Sequence, residues 1–219
     1  MNNSKLLSNL KIVESKLKMA SIWNGDKTAV NAFKNPYVFE LLCLLQLCVH
    51  IEETKKLNIV KRNKDGMDLV ILPKSPANKS NFSYIEVINP DGNIHECDLN
   101  PGINITDRDK KDRAPDISIT AATGDSTPTF NDVMEIWDAK YSENDSRLND
   151  KEVSDFIYTA QQLGFPRPPS ALAKILSAKE FNRSGIITNA KRSTEPDSAL
   201  SRHQLQEVSE FPTSTSTRP

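Results

Sequence analysis

The sequence predicts a mixed α/β fold, a β-sheet flanked by helices, and three observations carry that prediction. Helical periodicity opens the chain and returns after residue 150. Between these stretches lie short β-type runs punctuated by turn sequences, of which Asn89-Pro90-Asp91-Gly92-Asn93 is the clearest. Near the end, Ser184-Gly185-Ile186-Ile187-Thr188 reads as a short buried strand. The order helix, antiparallel meander, helix, helix, strand describes one α/β domain.

Taken in order, residues from Ser4 to about Ala20 set Leu6, Leu7, Leu10, Ile12, Val13 and Leu17 among lysines, an amphipathic helix pattern. Asn24-Gly25-Asp26 breaks it, so residues 1–25 form an N-terminal helical segment. A more apolar helix runs from about Asn35 to Lys56, with Asn35 as N-cap and Pro36 at the first helical position. Asp68–Leu72, Ser83–Ile88, Ile94–Leu99, Asp116–Thr120 and Val133–Tyr141 read as strands. In the turn between Ser83–Ile88 and Ile94–Leu99, Pro90 presets φ and Gly92 accepts a positive φ. A helix follows from about Lys151 to Leu163, ended by Gly164 and Pro166, and another opens at Pro168 and Pro169 and runs to about Phe181. Residues 26–195 form the main domain, and 196–219 read as a polar, disordered tail.

At 219 residues the chain is long enough for a sizeable core. Hydrophobic residues at 37% and charged residues at 26% suit a soluble globular protein. The formal net charge of −1 provides no global basic field, so any nucleic-acid contact must come from local clusters. Two such clusters exist: Lys55, Lys56, Lys61, Arg62 and Lys64, then Arg108, Lys110, Lys111 and Arg113, the latter leading into Asp116. Three cysteines without CxxC spacing argue against a zinc site or a disulfide framework and suit a reducing cytoplasm. The apolar run Val38–Ile51 is too short to span a bilayer, and no membrane association is expected. His50, His95 and His203 lack ligand spacing, and Trp23 and Trp137 read as core or interface aromatics. With no Gly-rich phosphate loop, nucleotide hydrolysis by this chain is not expected.

The chemistry gathers at Ala114-Pro115-Asp116-Ile117 and Glu135-Ile136-Trp137-Asp138-Ala139-Lys140-Tyr141. Side chains alternate across a strand, so Met134, Ile136, Asp138 and Lys140 share one face, while Glu135, Trp137, Ala139 and Tyr141 take the other. Asp138 can therefore act with Lys140, whereas Glu135 cannot without a bulge. Asp116 opens the preceding strand, where Pro115 lacks a ladder donor. Two like charges held together repel unless a cation intervenes. Two carboxylates with a lysine are a donor set suited to a hard divalent ion and to phosphodiester hydrolysis. Glu40 projects from the apolar stripe of the second helix, level with Tyr37, Cys43 and Leu44, and a carboxylate there is costly unless paired.

The pattern Pro115-Asp116 … Asp138-Ala139-Lys140 with an upstream helix acid at Glu40 resembles the PD-(D/E)XK nuclease superfamily. Asp-Ala-Lys-Tyr at 138–141 is similar to the nuclease subunits of methylcytosine-dependent restriction systems and related bacterial defence nucleases. The resemblance covers roughly Glu40 to Gln162. It implies a restriction-endonuclease-like mixed β-sheet flanked by helices and an Mg²⁺-dependent endonuclease (Mn²⁺ substituting) that hydrolyses DNA in restriction or phage defence. Asp116 and Asp138 would be metal ligands, Lys140 the catalytic lysine, and Glu40 an auxiliary ligand or water-orienting acid. Lys110, Lys111, Arg113 and Gln161 are candidates for nucleic-acid contact. A homodimer and a separate NTPase or defence-system subunit are the implied partners besides DNA. The alternative is a catalytically inactive nuclease-fold module that binds DNA or a protein partner.

Overall fold

Alternation of apolar side chains builds the strands, and two helical layers cover what the alternation leaves apolar. The computed structural model describes residues 3–17, 34–63, 76–142, 150–165, 184–188 and 204–207. The elements are α1 (Asn3–Glu14), α2 (Asn35–Glu53), β1 (Asn58–Arg62), a 3₁₀ turn (Lys79–Asn81), β2 (Tyr84–Ile88), β3 (His95–Pro101), β4 (Ile105–Thr106), β5 (Asp112–Arg113), β6 (Ile117–Ala121), β7 (Val133–Lys140), α3 (Asp150–Gln162), β8 (Ser184–Thr188) and β9 (Gln204–Glu207). The mixed α/β fold is as expected. The expected strand at 68–72, the expected helix from Pro168 to Phe181, Trp23, Lys64 and His203 lie outside the described residues.

Among the described residues, the main sheet has seven strands in the order β1-β2-β3-β6-β7-β8-β9. Its pairings are antiparallel from β1 to β7, and β8 and β9 then add in parallel. Hairpin turns explain the antiparallel half. In the first of them Asn89 Oδ1 accepts from the Asn93 and Ile94 N–H groups, both at 3.0 Å, and Gly92 sits at φ +76°. Parallel neighbours require a crossover, and α3 lies in the connection between β7 and β8.

One face of the sheet packs against α2, with α1 stacked outside it. Leu6, Leu10, Val13, Phe39, Leu42 and Leu45 join Val87, Leu99, Ile117, Ile119 and Trp137 in one continuous core. The N-terminal helix is therefore part of the same core as the sheet, since Leu6, Leu10 and Val13 are buried within it. The opposite face carries Val133, Ile136 and Ile186 against Val153, Phe156 and Ala160 of α3, with Ile103 and Ile105 closing the cluster.

Four local expectations are corrected. Lys34, not Asn35, is the extended residue before α2, and its carbonyl accepts the Val38 N–H at 3.1 Å. The helix ends at Glu53 rather than Lys56, because Lys56 turns left-handed at φ 57° and the Leu57 N–H reaches back to the Ile51 carbonyl at 3.3 Å. The chain then enters β1, so Lys61 and Arg62 of the first basic run are strand residues, and Arg62 pairs with Glu86 at 2.7 Å. Finally, Gln204–Glu207 of the tail read as disordered is a strand, added to β8 through backbone pairing that its polar sequence does not advertise.

Strand parity in β7 holds from Ile136 to Lys140 but fails at Met134. Thr120 pairs with Val133 and Ile119 with Glu135, so the register slips by one residue. Met134 consequently joins the α2-side core, while Val133 joins the α3-side cluster.

Candidate active site

The β6–β7 pairing brings the two acids together. Ile117 pairs with Trp137, so Asp116, one residue before β6, falls level with Asp138. Asp116 Oδ2 accepts the Ala139 N–H at 2.8 Å, and Asp138 Oδ1 lies 3.4 Å from the Asp116 N–H. Each carboxylate is thereby tied to the backbone of the other strand. Lys140 Nζ stands 3.1 Å from Asp138 Oδ2 and 3.6 Å from Asp116 Oδ2. All three side chains keep 17–26% of their surface exposed, which leaves the cluster open to solvent.

Glu40 comes from the other layer. α2 packs across β7, and Glu40 is close enough to Asp116, Lys140 and Asp138 for all three to perturb its titration. Burial, then the Asp116 charge, pushes Glu40 up to about 8, with Lys140 opposing. Burial and Asp138 push Asp116 up to about 6, again against Lys140 and the Ala139 N–H. Burial alone would lower the Lys140 pKa, but Asp138 and Asp116 outweigh it and push it up to about 12. The lysine is thus an ammonium at neutral pH, a fixed positive charge rather than a proton acceptor.

Glu135 lies on the α2 side, fully buried, as parity requires. Cys43 is buried beside Glu40 and Asp116, and burial raises its thiol pKa, so it is no nucleophile. Burial and the Glu40 charge likewise raise the Tyr37 phenol. The Phe39 and Tyr141 rings meet at 5.8 Å between centroids and join the α2 layer to the end of β7. Glu152, in the first turn of α3, adds a further negative influence on Lys140 that the sequence reading did not include.

Among the described residues, no three histidine, cysteine, aspartate or glutamate side chains form a ready ligand set for a metal ion. The pair Asp116 and Asp138 nonetheless fits a hard divalent cation in its chemistry: oxygen donors only, partly exposed, and carrying negative charge that one lysine does not balance.

The nominated nucleic-acid contacts separate. Lys110, Lys111 and Gln161 are exposed. Arg113 is instead committed inward: its Nε donates to Asp107 Oδ2 at 2.7 Å, and its guanidinium lies over the Tyr158 ring at 4.9 Å.

A second polar cluster escaped sequence reading altogether. Lys79 bonds the buried Asp98 carboxylate, whose other oxygen lies 2.7 Å from His95 Nε2, and the lysine sits over the Tyr84 ring at 4.5 Å. Nothing in the sequence pairs a loop lysine with a strand acid 19 residues later. Among the described residues, no helix is long and apolar enough to cross a membrane. Comparison of the chain with protein families, with curated proteins and with solved structures finds no match.

Proposed function

We propose that this chain is a metal-dependent endonuclease that hydrolyses DNA phosphodiester bonds, of the PD-(D/E)XK kind used in restriction and phage defence. One observation carries the reading: Lys140 Nζ stands within 3.1 and 3.6 Å of two carboxylates that the β6–β7 register holds level. An ion pair that served only the surface would need one aspartate, whereas two acids sharing one lysine leave negative charge in excess.

Asp116 and Asp138 would hold Mg²⁺ or Mn²⁺, which when bound supplies Lewis-acid polarisation of the scissile phosphate. The protein's own part is then electrostatic and positional. Lys140 offers a preorganised ammonium to the charge that develops on the phosphoryl oxygens, and it needs no reorganisation at the moment of reaction. Glu40, entering from α2, orients the attacking water from the helix side. The backbone latches between Asp116 and Ala139 hold the two carboxylates in place before substrate arrives. A reducing cytoplasm suits the three buried free cysteines. Cutting both strands of a duplex calls for a second copy of the centre, hence a homodimer, and any nucleotide-driven movement calls for a separate NTPase subunit.

The test is cleavage of supercoiled plasmid by the purified protein with Mg²⁺ or Mn²⁺. Nicking or linearisation that Lys140→Ala abolishes, with the circular dichroism spectrum unchanged, supports the reading. A folded wild type that cuts neither DNA nor RNA with either metal overturns it in favour of an inactive nuclease-fold module that binds DNA or a protein partner.

A further inference from the structure

The β4–β5 hairpin leads directly into Asp116, and its tip is built with unusual care. Asp107 sits at the base of the turn with its side chain fully buried, and its carboxylate is saturated. Oδ1 accepts the Asp109 and Lys111 N–H groups at 2.8 and 2.9 Å, and Oδ2 accepts Arg113 Nε at 2.7 Å. Burial alone would raise the Asp107 pKa, but these donors hold it below the ordinary carboxylate range. The backbone closes the same turn, with the Asp107 N–H on the Lys111 carbonyl at 2.8 Å.

The tip is also fastened to α3. The Arg108 N–H reaches the Gln162 carbonyl at 3.4 Å, and its guanidinium lies over the Phe130 ring at 5.6 Å. Arg113 spans to Tyr158 on the same helix. Arg108 and Arg113 are thus struts, and Lys110 and Lys111 are left pointing to solvent with no ion pair among the described residues. Two acids share the surface, Asp109 and Asp112, so attraction here is local and depends on where the lysines are held.

Lys110 occupies φ +62°, a left-handed position that glycine or asparagine fills more cheaply. A side chain kept on a strained turn, with the turn locked by a saturated aspartate, is ordered in advance and loses little freedom on binding. Lys110 precedes Asp116 by six positions, a reach of at most roughly 20 Å along extended chain. That falls within one turn of a duplex, about 34 Å. Single strands are usually held by stacking on aromatic faces, and one face of Tyr158 is taken by Arg113.

Resting on the DNA-cleaving reading above, we infer that the Asp107–Lys111 turn is a preorganised contact for the phosphate backbone of duplex DNA beside the cleavage centre. Lys110 and Lys111 touch phosphates, and Asp107 is a positioning residue. The binding is read by fluorescence anisotropy of a duplex oligonucleotide across a salt series, with Ca²⁺ in place of Mg²⁺ to hold off cleavage. The Lys110→Ala/Lys111→Ala protein should bind more weakly, with the slope of log K against log salt shallower by about 1.8, the effect of two lost phosphate contacts. Lys11→Ala/Lys16→Ala, which removes equal charge from the α1 end, should leave the slope unaltered. Lys110→Gly relieves the left-handed strain, so its Tm should be no lower than wild type while its DNA affinity falls. A structural role would move the two in the same direction.

Unaltered slope in the double variant, with wild type binding and cutting DNA, overturns the contact and leaves the nuclease reading intact. A wild type that binds duplex with the expected loss in the variant but never cuts supports the contact and sinks the hydrolase alone. A wild type that does not bind duplex overturns the contact outright.

Discussion

The Asp116 carboxylate is latched to the Ala139 N–H at 2.8 Å, so an acid from one strand grips the backbone between Asp138 and Lys140 of the next. Asp116→Asn preserves the shape and can keep one hydrogen bond, but it removes a charge from the pair. Plasmid nicking should fall by about 100-fold or more, as should that of Asp138→Asn, since each removes a charged group from the reacting centre. The measurement is the initial nicking rate at saturating Mg²⁺.

Removing Lys140 should have a second, metal-linked consequence. Lys140→Ala leaves Asp116, Asp138 and Glu40 without their compensating cation, so Tm in EDTA at neutral pH should drop below wild type. Mg²⁺ should restore more of that loss in the variant than it adds to the wild type, because only ligands that bind the folded state raise its stability. Differential scanning fluorimetry with and without metal checks this, and an equal Mg²⁺ response in both proteins would count against a cation site here.

Metal-free stability should fall as pH rises. Glu40 and Asp116 have folded pKa values pushed up to about 8 and about 6, above their ordinary values. In that window the folded protein holds protons that the unfolded chain has released, so the unfolded state gains relative stability with each step upward. The contribution is greatest below the ordinary carboxylate range and is lost as pH climbs through the raised values. Tm in EDTA should decline between about pH 5 and about pH 9, and Glu40→Gln should flatten that decline.

Lys79 and Asp98 form a buried pair with side chains 7% and 1% exposed. Lys79→Met leaves the buried Asp98 carboxylate with His95 but without its ammonium partner, and breaking such a pair costs about 3–5 kcal/mol. Replacing both partners with apolar side chains should recover much of that loss. Urea titration of the single and double variants distinguishes the two outcomes.

Trp137 is fully buried where β7 meets α2. Trp137→Ala should cost about 3–5 kcal/mol from the lost transfer energy and the cavity left behind. Its effect on cleavage should then follow the loss of folded protein, since its side chain faces away from the reacting groups.

Much of the architecture was legible locally. Among the described residues, the three helices, the Asn89–Asn93 turn and the strands at 84–88, 95–101, 117–121, 133–140 and 184–188 follow from periodicity and turn chemistry. Strand ends are displaced by a residue or two, α2 ends three residues early, and α1 ends at Glu14 rather than about Ala20. β1, β4, β5 and β9 were missed. Two of them have only two residues, too few for alternation to register, and β9 is polar throughout except for Leu205.

The candidate site divides the same way. Sequence alone determined that Asp138 and Lys140 share a face, that Glu135 and Trp137 take the other, and that Glu40 rides an apolar helix, since each is a matter of period along one element. Only the tertiary structure decided that Asp116 stands level with Asp138, that α2 carries Glu40 to them, that Asp98 belongs to Lys79, and that Arg113 turns inward to Asp107. Those pairings depend on register and layer packing between segments far apart in the chain. Periodicity states which way a side chain points, while the choice of partner comes from long-range closure of the sheet and the apolar surface it must bury.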